Sequence, residues 1–348
     1  MMPMRAVPVL LLVGALWPAV GVSTVTAASF DCGAAATPFE HAICDSEELS
    51  RADEVLAKAF NTALGGLTKS AESALRDDQR AWLSFAQRAC TEDAEPMRSG
   101  AYDERGVSCL VDEFKARART LELSRMIDGH RFVFESANAA LPDPQEAADP
   151  ESYWKVATHK AAVALLDDDD PLAEAFNAFT RSEAEPYSDI YAGRDLADSS
   201  DTSMTLAVKS TAGTNRISLR LETYWFGHGA AHGNYADTSV HYFVPEERAV
   251  EAGDIFAGEG WEAVLVDAAW AALQDQHGEW VQVDSKEDIA EIVVDPARWD
   301  LDDGHDLVIT FQPYEVAAYA YGAPEIRVPW LELEAIAAEN QQTIRYGW

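Results

Sequence analysis

Residues 31–44 read DCGAAATPFEHAIC, and this stretch decides how the rest of the chain divides. Thr37 as cap, Pro38 at the first helical position and Glu40 at the third spell a capping box with a proline start, so a helix is expected from Pro38 to about Cys44. Cys32 and Cys44 bracket that helix; Cys90 and Cys109 complete the four cysteines of the 348-residue chain. All four lie in its first third, which predicts one small region stapled shut, followed by a larger one that needs no staples. Four cysteines allow three connectivities. Cys32–Cys44 with Cys90–Cys109 closes the shortest loops, each worth roughly 3 kcal/mol in the loop-entropy picture. No close Cys-x-x-Cys pair exists for redox chemistry, so the cysteines are read as structural.

Upstream, Arg5 precedes the apolar run Ala6–Val20 and then small and polar residues ending at Ala27. That is the order of a cleavable secretory signal over residues 1–27, with the cut expected after Ala27 or Ala28. The run holds Pro8, Gly14 and Pro18 and is shorter than the ~20 residues a span needs, so no membrane anchor is expected after cleavage. The expected location is periplasmic or secreted, where paired cysteines persist. With 60 acidic and 26 basic residues the formal charge is −34, and loss of the leader with its single Arg5 takes it to −35. Such a chain is repelled by nucleic acid and by anionic membranes. Cationic partners are attracted instead, although an acidic surface also serves solvation alone.

Downstream of the first helix, Leu49, Ala52, Leu56, Phe60 and Ala63 recur at helical spacing, as do Leu75, Trp82, Leu83 and Ala86, and then Leu110, Phe114 and Leu121. Thr91–Gly106 is polar and loop-like. A disulfide-stapled all-α bundle is therefore expected over residues 29–125, with a boundary near Ser124–Gly129. An α+β domain with an antiparallel sheet and helices on one face is expected over residues 126–348. Its strands are read at Arg131–Glu135, Met204–Lys209, Arg216–Phe226, Tyr235–Phe243, Leu307–Phe311 and Glu325–Val328. Its helices are read at Asp170–Phe179, Gly260–Gln274 and Pro329–Ala338, with Pro142, Pro144 and Pro150 in a loop.

The first region resembles the LprI-type N-terminal domain. Asp31-Cys32, Thr37-Pro38, Glu40, Ala42-Ile43-Cys44, Leu49, Gln79-Arg80, Trp82-Leu83, Arg88, Cys90 and Cys109-Leu110 stand in that family's order. The resemblance implies a small exported bacterial module whose family name derives from a lysozyme inhibitor. Further on, Tyr224–Tyr235 (YWFGHGAAHGNY) and Phe311–Ala320 (FQPYEVAAYA) with Gly322 and Pro329 resemble the RsiV-type C-terminal domain, best over residues 219–335. The resemblance implies a more divergent companion half over Phe132–Ser218. That family's domain is extracytoplasmic; one branch binds lysozyme as an anti-sigma factor and another precedes polysaccharide deacetylases.

Chemistry-bearing patterns are sparse. His228 and His232 have the i, i+4 spacing of helical zinc ligands, but Gly227, Gly229 and Gly233 argue against a helix there, so a hairpin loop is read and no metal is assigned. The candidate binding residues are Tyr224, His228, His232, Asn234 and Tyr235 around that loop, with Tyr314, Glu315 and Tyr319 in a second loop after a strand. Tyrosine offers large contact area at small entropic cost. The acidic runs Asp167–Asp170 and Asp300–Asp306 lack calcium-loop spacing and are read as a helix approach and a turn. Catalytic carboxylates cannot be singled out among 60 acidic residues, and no nucleophile elbow, His-Glu-x-x-His or phosphate loop is present. The expectation is an exported, non-enzymatic binding protein without cofactor, its partner a lysozyme-like muramidase or cell-wall material. An enzyme acting on envelope polysaccharide and an envelope structural or assembly protein are the alternatives.

Overall fold

Ser46 ends one helix and caps the next, and this shared residue sets the corner of the N-terminal bundle. The computed structural model describes residues 28–347; the leader expected over residues 1–27 lies outside them. Helix α1 (Pro38–Asp45) starts as anticipated: Thr37 Oγ1 accepts from the Glu40 amide at 3.2 Å, and Glu40 Oε2 accepts from the Thr37 amide at 2.9 Å. Helices α2 (Glu47–Leu64), α3 (Lys69–Ala89) and α4 (Glu104–Leu121) complete the bundle. They pack on Leu49, Leu56, Leu75, Phe85, Leu110 and Phe114, with Trp82 set edge-on to Phe114 at 5.3 Å. Disulfides Cys32–Cys44 and Cys90–Cys109 tie the two loops to helix ends.

A seven-stranded sheet follows, its strands ordered as in the chain: β1 (Met126–Ile127), β2 (His130–Pro142), β3 (Val156–Leu166), β4 (Ser200–Ala212), β5 (Arg216–Gly227), β6 (Asn234–Phe243) and β7 (Arg248–Ala249). All neighbours are antiparallel except β3 and β4, which are parallel because α5 (Pro171–Ala184) carries the chain across one face. Two elements differ from the sequence reading. Strand β2 runs through residues assigned to a loop, and β3 had no assignment. Both are rich in alanine (Ala137, Ala139 and Ala140; Ala157, Ala161, Ala162 and Ala164), which carries no strand signal yet lets helices approach the sheet closely.

Helices cover both faces, not one. On one side α5 packs over Val163, Leu206, Leu219 and Tyr242. On the other, the bundle packs over Phe134, Ala140 and Ala162. Polar bonds fix that second contact. The buried Arg117 guanidinium donates to Gln79 Oε1 at 2.9 Å, to Asp78 Oδ2 at 2.5 Å and to Ser136 Oγ of β2 at 3.1 Å. Lys160 Nζ of β3 reaches Glu113 Oε1 of α4 at 2.6 Å. Asp167 accepts from the Thr68 amide at 2.8 Å and hydroxyl at 2.6 Å, holding the α2–α3 corner.

Beyond β7 come α6 (Ala252–Ile255), α7 (Trp261–His277), α8 (Ala290–Val293) and a three-stranded antiparallel sheet of β8 (Trp299–Asp300), β9 (Asp306–Thr310) and β10 (Glu325–Pro329). Residues Trp330–Ile336, expected as a helix, form a 3₁₀ run, and α9 (Gln341–Tyr346) follows. Gln312 fastens this sheet to the edge of β6: its Oε1 accepts from the Asp237 amide at 2.8 Å and its Nε2 donates to the Asp237 carbonyl at 2.6 Å. The side-chain amide thus mimics a strand where β6 lacks one. Arg216 on β5, almost wholly buried, donates to the Ile344 carbonyl at 3.0 Å and Asp302 Oδ1 at 2.8 Å, anchoring the last segment.

Candidate functional site

Tyr224 and Tyr235 are register partners on β5 and β6, so their rings leave the same face of the sheet side by side. The loop between these strands and the loop after β9 fold over that edge and bring three more rings to it. His232 stacks on Tyr319, ring centroids 4.1 Å apart and 21° from parallel, and its Nε2 lies 3.3 Å from the Tyr314 hydroxyl. With Nδ1 donating to the Gly233 carbonyl at 2.8 Å, Nε2 is left to accept the Tyr314 proton. The Tyr319 hydroxyl donates to the same carbonyl at 2.7 Å. Desolvation raises the Tyr319 pKa, and the phenols of Tyr235, Tyr224 and Tyr314 raise it further.

Two backbone features show that these rings are held, not incidental. Gln312-Pro313-Tyr314-Glu315 is a β-turn closed by the Glu315 amide on the Gln312 carbonyl at 3.1 Å, with Tyr314 at φ +73°. That is the third position of a type II turn, where glycine is favoured; a tyrosine there costs about 1–3 kcal/mol. Its ring is 61% exposed, so packing does not explain the residue. At Gly233 a Cβ would lie 2.4 Å from the Tyr224 hydroxyl, so a larger residue there would have to push that ring aside.

The remaining candidates have other places. Glu315 accepts from the Gln312 amide at 2.6 Å and forms a two-pronged pair with Arg298 at 2.6 and 2.9 Å, which makes it the clamp of the tyrosine turn. Asn234 is exposed at the start of β6, opposite Trp225. His228 turns away from His232. Its side chain is 1% exposed, with Nδ1 2.7 Å from Asp143 Oδ2 and Nε2 3.6 Å from Asp201 Oδ2. Burial raises the Asp143 pKa, but donors from Glu146, His228 and Gln145 prevail and hold it below the ordinary value. His228 therefore pins the hairpin loop to the segment after β2. The two histidines are not assembled as a metal pair, and among the described residues no group of three or more His, Cys, Asp or Glu side chains could hold a metal ion. Asp300 and Asp302 face Lys209, and Asp303 pairs with Arg327, as a charged turn.

Several surface aromatics stand outside the candidate binding set. Tyr321 stacks with Trp280 at 5.5 Å, and its hydroxyl donates to His277 Nδ1 at 2.7 Å, the ring's Nε2 donating to the Glu325 carbonyl at 2.9 Å. A Cβ at Gly322 would lie 3.4 Å from the Tyr235 hydroxyl, so the aromatic edge comes close to that pair. Trp154, with Tyr153 beside it, packs on Phe226, which shares with Tyr224 one face of β5. Nothing in a single sequence separates such exposed rings from core ones; periodicity is lost in loops.

Two family models match this chain. The one described as Lysozyme inhibitor LprI matches residues 32–121, the bundle and its two disulfides. The one described as Protein of unknown function (DUF3298) matches residues 253–331, from α6 to β10, a domain seen at the C-terminus of RsiV-like proteins. The second match is narrower than the 219–335 expected: it takes in Pro313-Tyr314-Glu315 and leaves out the Tyr224–Tyr235 loop. A solved DUF3298 family member from Bacteroides fragilis is 18% identical, with a TM-score of 0.46 over 62% of this chain and 96% of that one. Another from Pseudomonas aeruginosa is 17% identical, with a TM-score of 0.41 over 63% of this chain and 98% of that one. No curated protein matches. The disulfides fit an extracellular location, and among the described residues no helix is long and apolar enough to cross a membrane.

Proposed function

We propose that this chain is an exported binding protein of the bacterial envelope that captures a lysozyme-like muramidase and blocks it, without chemistry of its own. The observation that carries the reading is the match of the disulfide-stapled helices, residues 32–121, to the family described as a lysozyme inhibitor. Charge supports it: a formal −34 draws a cationic enzyme, and opposite fields raise encounter rates at low salt. The tyrosine edge supports it too. Tyr314, exposed on a strained turn and braced by His232, has the form of an aromatic anchor, the side-chain class that dominates interface energies. In this account the field brings the partner in, and the loops carrying His232 and Tyr314 enter its substrate cleft.

The experiment is a turbidity assay of cell-wall lysis by a cationic lysozyme, with and without the mature, disulfide-intact protein. Lysis slowed in proportion to added protein is expected. Lysis at full rate under excess protein rejects the inhibitory role.

A further inference from the structure

The bundle and the sheet do not close fully on each other. Between α4, the loop before it and the outer face of β3–β5 lies a cleft of about 600 Å³, within the size range of small-ligand sites. Three aromatic rings line it and remain open to solvent: Tyr153 at 64%, Trp154 at 36% and Tyr224 at 42% exposure. They are not loose. Trp154 packs on Phe226 at 5.6 Å, the Arg105 guanidinium lies over Tyr153 at 5.9 Å, and Tyr224 is boxed in by Gly233.

Between the rings the surface is polar and both its lysines are already matched. Lys155 pairs with Glu92 at 3.2 Å and Lys160 with Glu113 at 2.6 Å. Asp201 Oδ1 accepts from the Thr158 amide at 2.7 Å and hydroxyl at 2.8 Å, and Ser203, two residues on and on the same face, lies beside it in the lining. The one lining cation without a carboxylate partner, Arg105, lies over Tyr153, and the carboxylates of Glu92, Asp103, Asp112, Glu113 and Asp201 outnumber the cations, which disfavours a phosphate or a polyanion. What the cleft offers is flat apolar rings beside hydroxyl and carboxylate groups. That combination suits a ligand whose faces carry C–H groups and whose edges carry hydroxyls. The strand register adds direction: Lys160, Ser203, Tyr224 and Tyr235 form one row across β3, β4, β5 and β6. Three strand spacings span roughly 14 Å, so the surface runs from the cleft to the tyrosine edge as a track for an extended chain.

We propose that this cleft binds an uncharged oligosaccharide, its rings stacked on Trp154, Tyr153 and Tyr224 and its hydroxyls bonded to Asp201 and Ser203. Burying one face of each ring while leaving its polar tip wet is the usual use of tyrosine and tryptophan at such boundaries. The cleft shares Tyr224 with the tyrosine edge, but the tetrasaccharides are read without any muramidase, so either reading can fail while the other stands.

The test uses the full disulfide-intact protein with three tetrasaccharides: β-1,4-linked N-acetylglucosamine, β-1,4-linked glucose and oligogalacturonate as the charged counterpart. Calorimetry and saturation-transfer NMR should detect at least one neutral tetramer at a Kd of about 1 mM or tighter. Trp154→Ala and Tyr224→Ala should weaken it at least about tenfold, a loss of roughly 1.4 kcal/mol. Tyr153→Ala, at the most exposed ring, gives the same reading without touching the core, and Tyr187→Ala, exposed after α5 and outside the cleft, should leave binding unchanged. Binding of neither neutral tetramer, binding of the charged one alone, or undiminished binding by the Trp154, Tyr153 and Tyr224 variants overturns the proposal.

Discussion

Replacing Arg117 by alanine should unsettle the joint between bundle and sheet more than any surface change. Its side chain is 2% exposed and that of its partner Asp78 13% exposed. The guanidinium donates to Gln79, Asp78 and Ser136, and it lies over the rings of Trp82 at 5.7 Å and Phe134 at 5.2 Å. Burial lowers the Arg117 pKa and the Asp78 carboxylate opposes that shift, but an arginine stays charged throughout. Truncation would strand Asp78 beside β2 with no counter-charge. Breaking one partner of a buried pair costs about 3–5 kcal/mol, a large share of the 5–15 kcal/mol typical of a folded domain. Urea unfolding followed by tryptophan fluorescence and far-ultraviolet circular dichroism measures it. Removing both charges, as Asp78→Asn with Arg117→Met, should recover most of the loss, because an apolar replacement leaves nothing unpaired. A loss below about 1 kcal/mol in Arg117→Ala would refute the claim that this cluster welds the two regions.

Other consequences are equally direct. His241 is fully buried against Trp299 and Ser218; desolvation, then the Arg216 charge, lower its pKa to about 4. The unfolded chain therefore binds the extra proton between pH 6.5 and 4, so stability is full above 6.5 and falls as pH drops through that window, by roughly 3 kcal/mol in all. His241→Gln should flatten this part of the pH profile of urea midpoints. Reducing the disulfides should cost roughly 3 kcal/mol each by calorimetric melting. Loss of Cys90–Cys109, which lines the cleft, should also loosen that wall in hydrogen exchange. Tyr314→Gly should leave the melting temperature unchanged or raise it, because the turn favours glycine, while weakening partner binding about tenfold. Lower stability with unchanged binding would return Tyr314 to a packing role.

The bundle was legible because each of its signals is local. Thr37 to Glu40 wrote a cap, the Leu49 and Trp82 series wrote helices, and the cysteine order wrote the staples. The sheet was half legible. Strand β5 alternates cleanly, whereas β2 and β3 bury alanines beneath helices on both faces and lose the period that marks a strand. The parallel step from β3 to β4 could not be seen, since it depends on which side α5 crosses. Of the candidate site, Tyr224, His232, Tyr235, Tyr314 and Tyr319 do converge, although they come from loops some 80 residues apart in sequence. His228 and Glu315 serve as braces because their partners, Asp143 and Arg298, lie in segments that no motif connects to them. Trp154 and Trp280 carried no signal at all: one ring in a loop reads like any other until its exposure is known.

The central claim is most directly met by isothermal titration of a cationic lysozyme with the mature protein at low and at physiological ionic strength. The account predicts saturable binding at one defined stoichiometry, weakened but not abolished as salt screens the acidic field. Absence of any binding heat at low ionic strength, with the disulfides intact, would contradict it.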